Sequence, residues 1–97
     1  MKLRFTPRAT RDLAAIAEYL GIRNPSAALA VRDAIPRSLQ NLTLFPAIGR
    51  PQNVEGFRKL VTPKHRYLIY YMIDEGAEEI MILTIQHPAR RREYQDV

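Results

Sequence analysis

Tyr67-Leu68-Ile69-Tyr70-Tyr71-Met72-Ile73 and Ile80-Met81-Ile82-Leu83-Thr84-Ile85-Gln86 decide the fold, with Asp74-Glu75-Gly76 between them. Both runs are rich in the β-branched and aromatic residues that fit a pleated surface. The residues between them read as a tight turn in which Gly76 supplies a positive φ. A third run, 57–61, precedes the pair at short range, so the three strands are expected to form an antiparallel meander. A sheet wet on one side alternates apolar and polar side chains, and these two long runs do not. Both of their faces are therefore expected to be covered. One face falls to helices; the C-terminal segment or a partner protein is expected on the other.

Upstream, residues 2–6 alternate polar and apolar and read as a first strand. Thr6-Pro7 then gives a hydroxyl at the N-cap and proline at the first helical position. Leu13, Ile16, Ala17 and Leu20 follow at helical spacing, and Gly21 with Asn24-Pro25 is read as the helix end. A second helix starts near Pro25-Ser26 with Ala28, Val31, Ile35, Leu39 and Leu42 as its apolar stripe. Pro36 lies inside that stripe; it removes a backbone donor and should kink or split the helix, at about 3 kcal/mol in a straight one. The two helices are joined by very few residues and should form an antiparallel hairpin. Leu13, Ile16, Leu20, Val31, Ile35 and Leu39 are expected between hairpin and sheet. Phe45-Pro46 and Gly49-Arg50-Pro51 read as loop. The order is strand, two-helix hairpin, then a three-stranded antiparallel meander: an α+β domain spanning 1–97, with both helices on one face. The segment 87–97 is read as a short helix or a loose tail.

At 97 residues there is room for one domain, with a thin core. The 46% hydrophobic and 26% charged content is that of a globular chain. The sequence has no cysteine, which excludes disulfides, thiolate metal sites and a cysteine nucleophile and fits a reducing compartment. Residues 1–6 show no apolar run of a signal peptide. The longest apolar run, 67–73, is far short of the about 20 residues that span a bilayer. A cytoplasmic location without membrane attachment is expected. The net charge of +5 suits an acidic protein or a nucleic acid as partner. Two histidines, His65 and His87, stand too far apart in sequence to signal zinc, and no glycine-rich phosphate loop is present, so no metal and no cofactor is expected.

Five pieces, in order, then carry a resemblance: Asp12-Leu13-x-x-Ile16-x-x-Tyr19-Leu20; Pro25 with Ala27-Ala28; Leu42-x-x-Phe45-Pro46-x-x-Gly49-Arg50; Gly56-Phe57-Arg58-Lys59-Leu60; and Arg66-Tyr67-x-Ile69-x-Tyr71 with Ile80-x-Ile82-x-x-Ile85-x-His87-x-x-Arg90. Together they resemble the ParE/RelE toxins of type II toxin–antitoxin systems, over nearly the whole chain and more on the ParE side. Two places depart from the pattern: Pro36 within the second helix, and the extra arginines of Arg90-Arg91-Arg92.

The resemblance implies one of two activities. A ParE-type toxin binds and inhibits DNA gyrase without being a hydrolase itself. A RelE-type toxin is a ribosome-dependent mRNA endoribonuclease. It implies in either case neutralisation in a hetero-oligomer with a cognate antitoxin, expected to be acidic. Cleavage by a 2′-hydroxyl needs an acid, a base and cations about the phosphorus. His87 has a reference pKa that suits proton transfer; Arg58 and Arg90 could clamp the phosphate; Tyr94 could stack on a base or donate a proton. The plain alternative is a strand-end histidine that satisfies a hydrogen bond and a solvated arginine run. For binding a target or partner, the candidates are Arg58, Lys59, Arg66, Arg90 and Arg91. A third reading, a basic nucleic-acid-binding domain without toxicity, would be separated from both by the absence of growth arrest. Tyr67, Tyr70 and Tyr71 read as core and sheet surface, and His65 as a turn residue.

Overall fold

The computed structural model describes residues 1–88. In chain order these form β1 (Lys2–Phe5), α1 (Pro7–Arg23), α2 (Pro25–Leu44), a 3-10 turn (Pro46–Ile48), β2 (Arg50–Pro51), β3 (Phe57–Val61), β4 (Leu68–Asp74) and β5 (Glu79–Gln86). The α+β class and the meander stand as read. The sheet is larger than expected, with strands in the order β1-β5-β4-β3-β2. Arg50–Pro51, read as loop, pairs antiparallel with β3, and β1 joins the meander at its far edge by pairing parallel with β5.

The helix ends follow from their capping chemistry. The Thr6 hydroxyl accepts from the Ala9 N–H at 3.0 Å. Asn24 serves both helices: its N–H donates to the Leu20 carbonyl at 2.8 Å, closing α1, and its Oδ1 accepts from the Ala27 N–H at 3.1 Å, opening α2. One residue thus turns the hairpin. Gly21 does not end α1, which runs on to Arg23. Nor does Pro36 split α2, which continues through it to Leu44; the local cost is that the Arg32 carbonyl loses its i+4 donor. In the β4–β5 turn the left-handed residue is Glu78 (φ 55°), not Gly76. The Asp74 carboxylate holds that turn by accepting from the Ala77 N–H at 3.1 Å.

The core lies between the helices and the sheet: Ala9 of α1 with Val31, Ile35, Leu39 and Leu42 of α2 meets Ile69, Tyr71, Ile80, Ile82 and Ile85. Leu13, Ile16 and Leu20 of α1, expected to be buried as well, only pack at its margin. They border an apolar cleft of about 200 Å³ between the two helices, closed on the other side by Val31, Ile35 and Leu39. Leu68 and Tyr70 alternate with Ile69 and Tyr71 toward the other face of β4, and they too are buried, at 5% and 1% exposure. The unbroken apolar run of β4 is therefore covered on both faces, as its lack of alternation implies. The C-terminal segment expected as the cover lies outside the described residues.

This asymmetry between the helices gives a stability expectation. Leu39→Ala should cost about 2 kcal/mol, the low end for a buried leucine because it borders the open cleft. Leu20→Ala, half-buried to begin with, should cost about half of that. Thermal melts of the two variants check the order; a larger loss for Leu20 would put α1, not α2, at the centre of the core.

Candidate functional site

Arg58 and Tyr71 face each other across β3 and β4, and both reach back to the loop that follows α2. The Tyr71 hydroxyl donates to the Pro46 carbonyl at 2.6 Å and accepts from the Gly49 N–H at 2.8 Å. Arg58 Nη1 donates to the carbonyls of Gly49 and Ala47, at 2.7 and 3.2 Å. Burial pushes the Tyr71 phenol above its ordinary pKa, against the smaller opposing effects of the Gly49 N–H and the Arg58 charge. The phenol therefore keeps the proton it donates to Pro46. The clamp fixes a loop whose outer side presents Leu44, Phe45 and Ile48 to solvent.

A second cluster gathers at the end of the sheet where β3 turns into β4 and β5 ends. His87 stands edge-on to Tyr67, ring centroids 5.4 Å apart, and to Tyr19 of α1 at 6.5 Å. The Arg23 guanidinium lies over the Tyr19 ring, 4.8 Å from its centroid. Tyr67 is buried beneath, and that burial, with Tyr19 a lesser cause, raises its pKa. The adjoining turn, 62–67, is locked by Thr62: its N–H donates to the Tyr67 carbonyl, its carbonyl accepts from the Arg66 N–H, and its hydroxyl accepts from the Tyr67 N–H. Within the turn Lys64 (φ 70°) and Arg66 (φ 57°) hold left-handed backbone conformations, uncommon for long side chains.

The structure does not bring Arg58 and His87 together. His87 lies one residue past Gln86, which pairs with Leu68, whereas Arg58 pairs with Tyr71 on the opposite side of β4. At ~3.3 Å per residue and ~4.8 Å per strand, they are separated by roughly 13 Å along the strands and roughly 10 Å across them. The Arg58 guanidinium is moreover turned to the loop carbonyls. Lys59 alternates to the opposite face, beside Tyr70, and Arg66 belongs to the turn below Tyr67. Of the other candidates, Arg90, Arg91 and Tyr94 lie outside the described residues. Tyr19, quoted above only as part of the first-helix resemblance, and Arg23 are not among the site candidates read from sequence, although an aromatic residue four positions before an arginine on one helix face is a readable pair. Among the described residues no three His, Cys, Asp or Glu side chains gather as a metal site, and no helix is long and apolar enough to cross a membrane.

The strand–hairpin–sheet architecture recurs in the toxins of type II toxin–antitoxin systems. A chain of the chromosomal ParDE system of P. aeruginosa superposes with a TM-score of 0.73 and 29% identity, over 90% of this chain and 95% of that one. A chain of the RelBE2 toxin–antitoxin complex of Mycobacterium tuberculosis does so with a TM-score of 0.62 and 26% identity, over 89% and 95%. A chain of the E. coli RelBE complex shares the fold alone, at 16% identity and a TM-score of 0.68, over 92% and 98%. In sequence, a Sinorhizobium fredii (strain NBRC 101917 / NGR234) protein named "Putative toxin Y4kP" is 36% identical over 86 residues, 89% of this chain and 86% of that protein. Residues 3–92 match the model of the ParE toxin of type II toxin–antitoxin systems. The chain belongs to the ParE toxin family.

Proposed function

We propose that this toxin acts on DNA gyrase by protein contact, and that a cognate acidic antitoxin neutralises it in the cytoplasm. The observation that carries the reading is the position of Arg58. A ribonuclease of this fold would need a cation beside its proton-transfer group at the scissile phosphate. The cation that the ribonuclease reading places there is Arg58, which is bonded instead to the carbonyls of Ala47 and Gly49 and stands two strands away from His87, on the far side of β4. Its part is to shape the loop, so charge reversal at Arg58 acts through loop geometry and not only through electrostatic fit. For the antitoxin, the apolar cleft between α1 and α2 and the net charge of +5 favour an acidic segment with apolar side chains that orders on binding.

The test sets two assays side by side. The purified chain should inhibit gyrase supercoiling, and primer extension on translated mRNA should show no toxin-dependent cleavage. His87→Ala, folded by its melting curve, should change growth arrest only slightly. Loss of a general acid or base in a ribonuclease would instead cost about 100- to 10,000-fold. Cleavage of translated mRNA that disappears in His87→Ala, with supercoiling untouched, would replace the gyrase reading by the RelE-type one.

A further inference from the structure

The sheet end that carries Tyr19, Tyr67 and His87 has features that the clamp of the 46–49 loop does not use. Tyr19 is 52% exposed, although it is held by His87 on one side and by Arg23 on the other. Its ring is thus oriented at the surface instead of free to swing. Arg23, Lys64 and Arg66 are exposed cations, and none of them is paired with a carboxylate among the described residues, whose ion pairs are Arg4 with Glu79 and Arg37 with Asp33. The left-handed backbone at Lys64 and Arg66 costs free energy, and Thr62 holds it in place. Between them the His65 Nε2 is buried with no hydrogen-bond partner. A fixed aromatic ring with a guanidinium over it, beside a rigid turn that presents two further cations, has the chemistry of a surface for stacked bases and phosphates. An acidic protein would need the cations but not the oriented ring.

We propose that this end of the molecule, formed by Tyr19 and Arg23 of α1, the Lys64–Arg66 turn and the strand-end rings Tyr67 and His87, binds single-stranded nucleic acid. The cations take the phosphates, and Tyr19 with Arg23 takes a base. This binding does not depend on gyrase being the target.

Fluorescence anisotropy of the purified full chain tests it, with labelled oligothymidylate and oligouridylate probes about 15 nucleotides long and polyglutamate as competitor. The wild-type chain should bind at least one probe, with affinity falling as salt rises. Tyr19→Ala should weaken binding about 5- to 100-fold, the loss expected for one stacked base. The double variant Lys64→Gln/Arg66→Gln should flatten the log–log salt dependence by about 1.4, at about 0.7 per phosphate contact on a single strand. The two probes separate DNA from RNA as the preferred strand. Melting curves accompany each variant, and Arg23→Gln, on an exposed helix face, repeats the test without touching the strained turn. The proposal fails if neither probe binds, or if the folded Tyr19 and Arg23 variants bind as the wild type does. It also fails if polyglutamate competes as well as unlabelled oligonucleotide, which would make the surface a docking face for an acidic protein.

Discussion

Gly49→Ala should destabilise the domain by about 3 kcal/mol, enough to lower its melting temperature by more than about 10 °C in a chain of this size. The backbone at Gly49 is extended (φ −72°, ψ 151°), a conformation open to any residue, so glycine is needed here for space and not for φ. A Cβ would stand 2.5 Å from the Tyr71 hydroxyl oxygen and 2.6 Å from Cε1 of the same ring. Tyr71 is wholly buried and cannot swing aside. The loop must therefore move, and with it go the Gly49 N–H bond to Tyr71, the Tyr71 bond to Pro46 and the two bonds from Arg58, each worth about 1 kcal/mol net. Gly21→Ala is the internal control. Its Cβ meets nothing within 4 Å and it lies within α1, so the change should stabilise by about 0.5–1 kcal/mol. Equal melting temperatures for the two variants would show that the loop is not held against Tyr71.

The Gly49 case also marks the limit of what the sequence discloses. Strands and helices were legible because their signals are local: the apolar runs at β4 and β5, the Thr6-Pro7 start, the Asn24-Pro25 break. Contacts that join residues distant in sequence left no such mark. The Tyr71–Gly49 bond spans 22 positions. Nothing within the run 67–73 separates the tyrosine that clamps a loop from its neighbour Tyr70. Arg58 looked like a cation available to a phosphate because its partners are backbone carbonyls, which every residue carries. Likewise, the Arg50–Pro51 strand is two residues long and exists only because β3 offers it an edge.

Where local rules gave the wrong answer, a stronger local or tertiary effect took over. Gly76 was the natural residue for a positive φ, but the Asp74 carboxylate fixes the start of the turn and moves the left-handed position to Glu78. Pro36 should have interrupted α2, yet Ile35, Leu39 and Leu42 on both sides of it are anchored in the core, and their burial outweighs one lost hydrogen bond. The helical period correctly marked the apolar face of α1 but not its depth, since how closely two helices approach depends on packing that periodicity does not encode. Of the candidate site residues, His87 was legible as a strand-end histidine. Its placement between Tyr67 and Tyr19 required the fold to bring α1 beside the end of β5.

Asp12→Ala should cost about 3–4 kcal/mol, although Asp12 sits on a half-exposed helix and makes no ion pair among the described residues. The reason lies in the sheet edge. The β1 strand covers β5 only from Glu79 to Ile82. Beyond that point this edge of β5 has no partner strand among the described residues, while its other edge stays paired with β4, and Thr6 and Asp12 continue the ladder in place of β1. The Thr6 N–H donates to the Ile82 carbonyl at 3.1 Å, and the Thr6 hydroxyl to the Leu83 carbonyl at 2.7 Å. Asp12 Oδ2 then accepts from the Ile85 N–H at 3.0 Å and from the Thr84 hydroxyl. Thr84 and Ile85 are buried, so removing the carboxylate strands two donors away from water, at about 1–3 kcal/mol each. Asp12→Asn keeps one carbonyl oxygen for the Ile85 N–H and should lose only about 1 kcal/mol. Asp33→Ala breaks an exposed i,i+4 pair with Arg37 and should lose no more than about 0.5 kcal/mol. Thermal melts rank the three variants, and amide hydrogen exchange gives the site-specific readout. The Ile85 amide, protected in the wild type, should exchange faster in Asp12→Ala and stay protected in Asp33→Ala. If Asp12→Ala melts with Asp33→Ala and leaves the Ile85 amide protected, the edge of β5 is held by something other than this carboxylate.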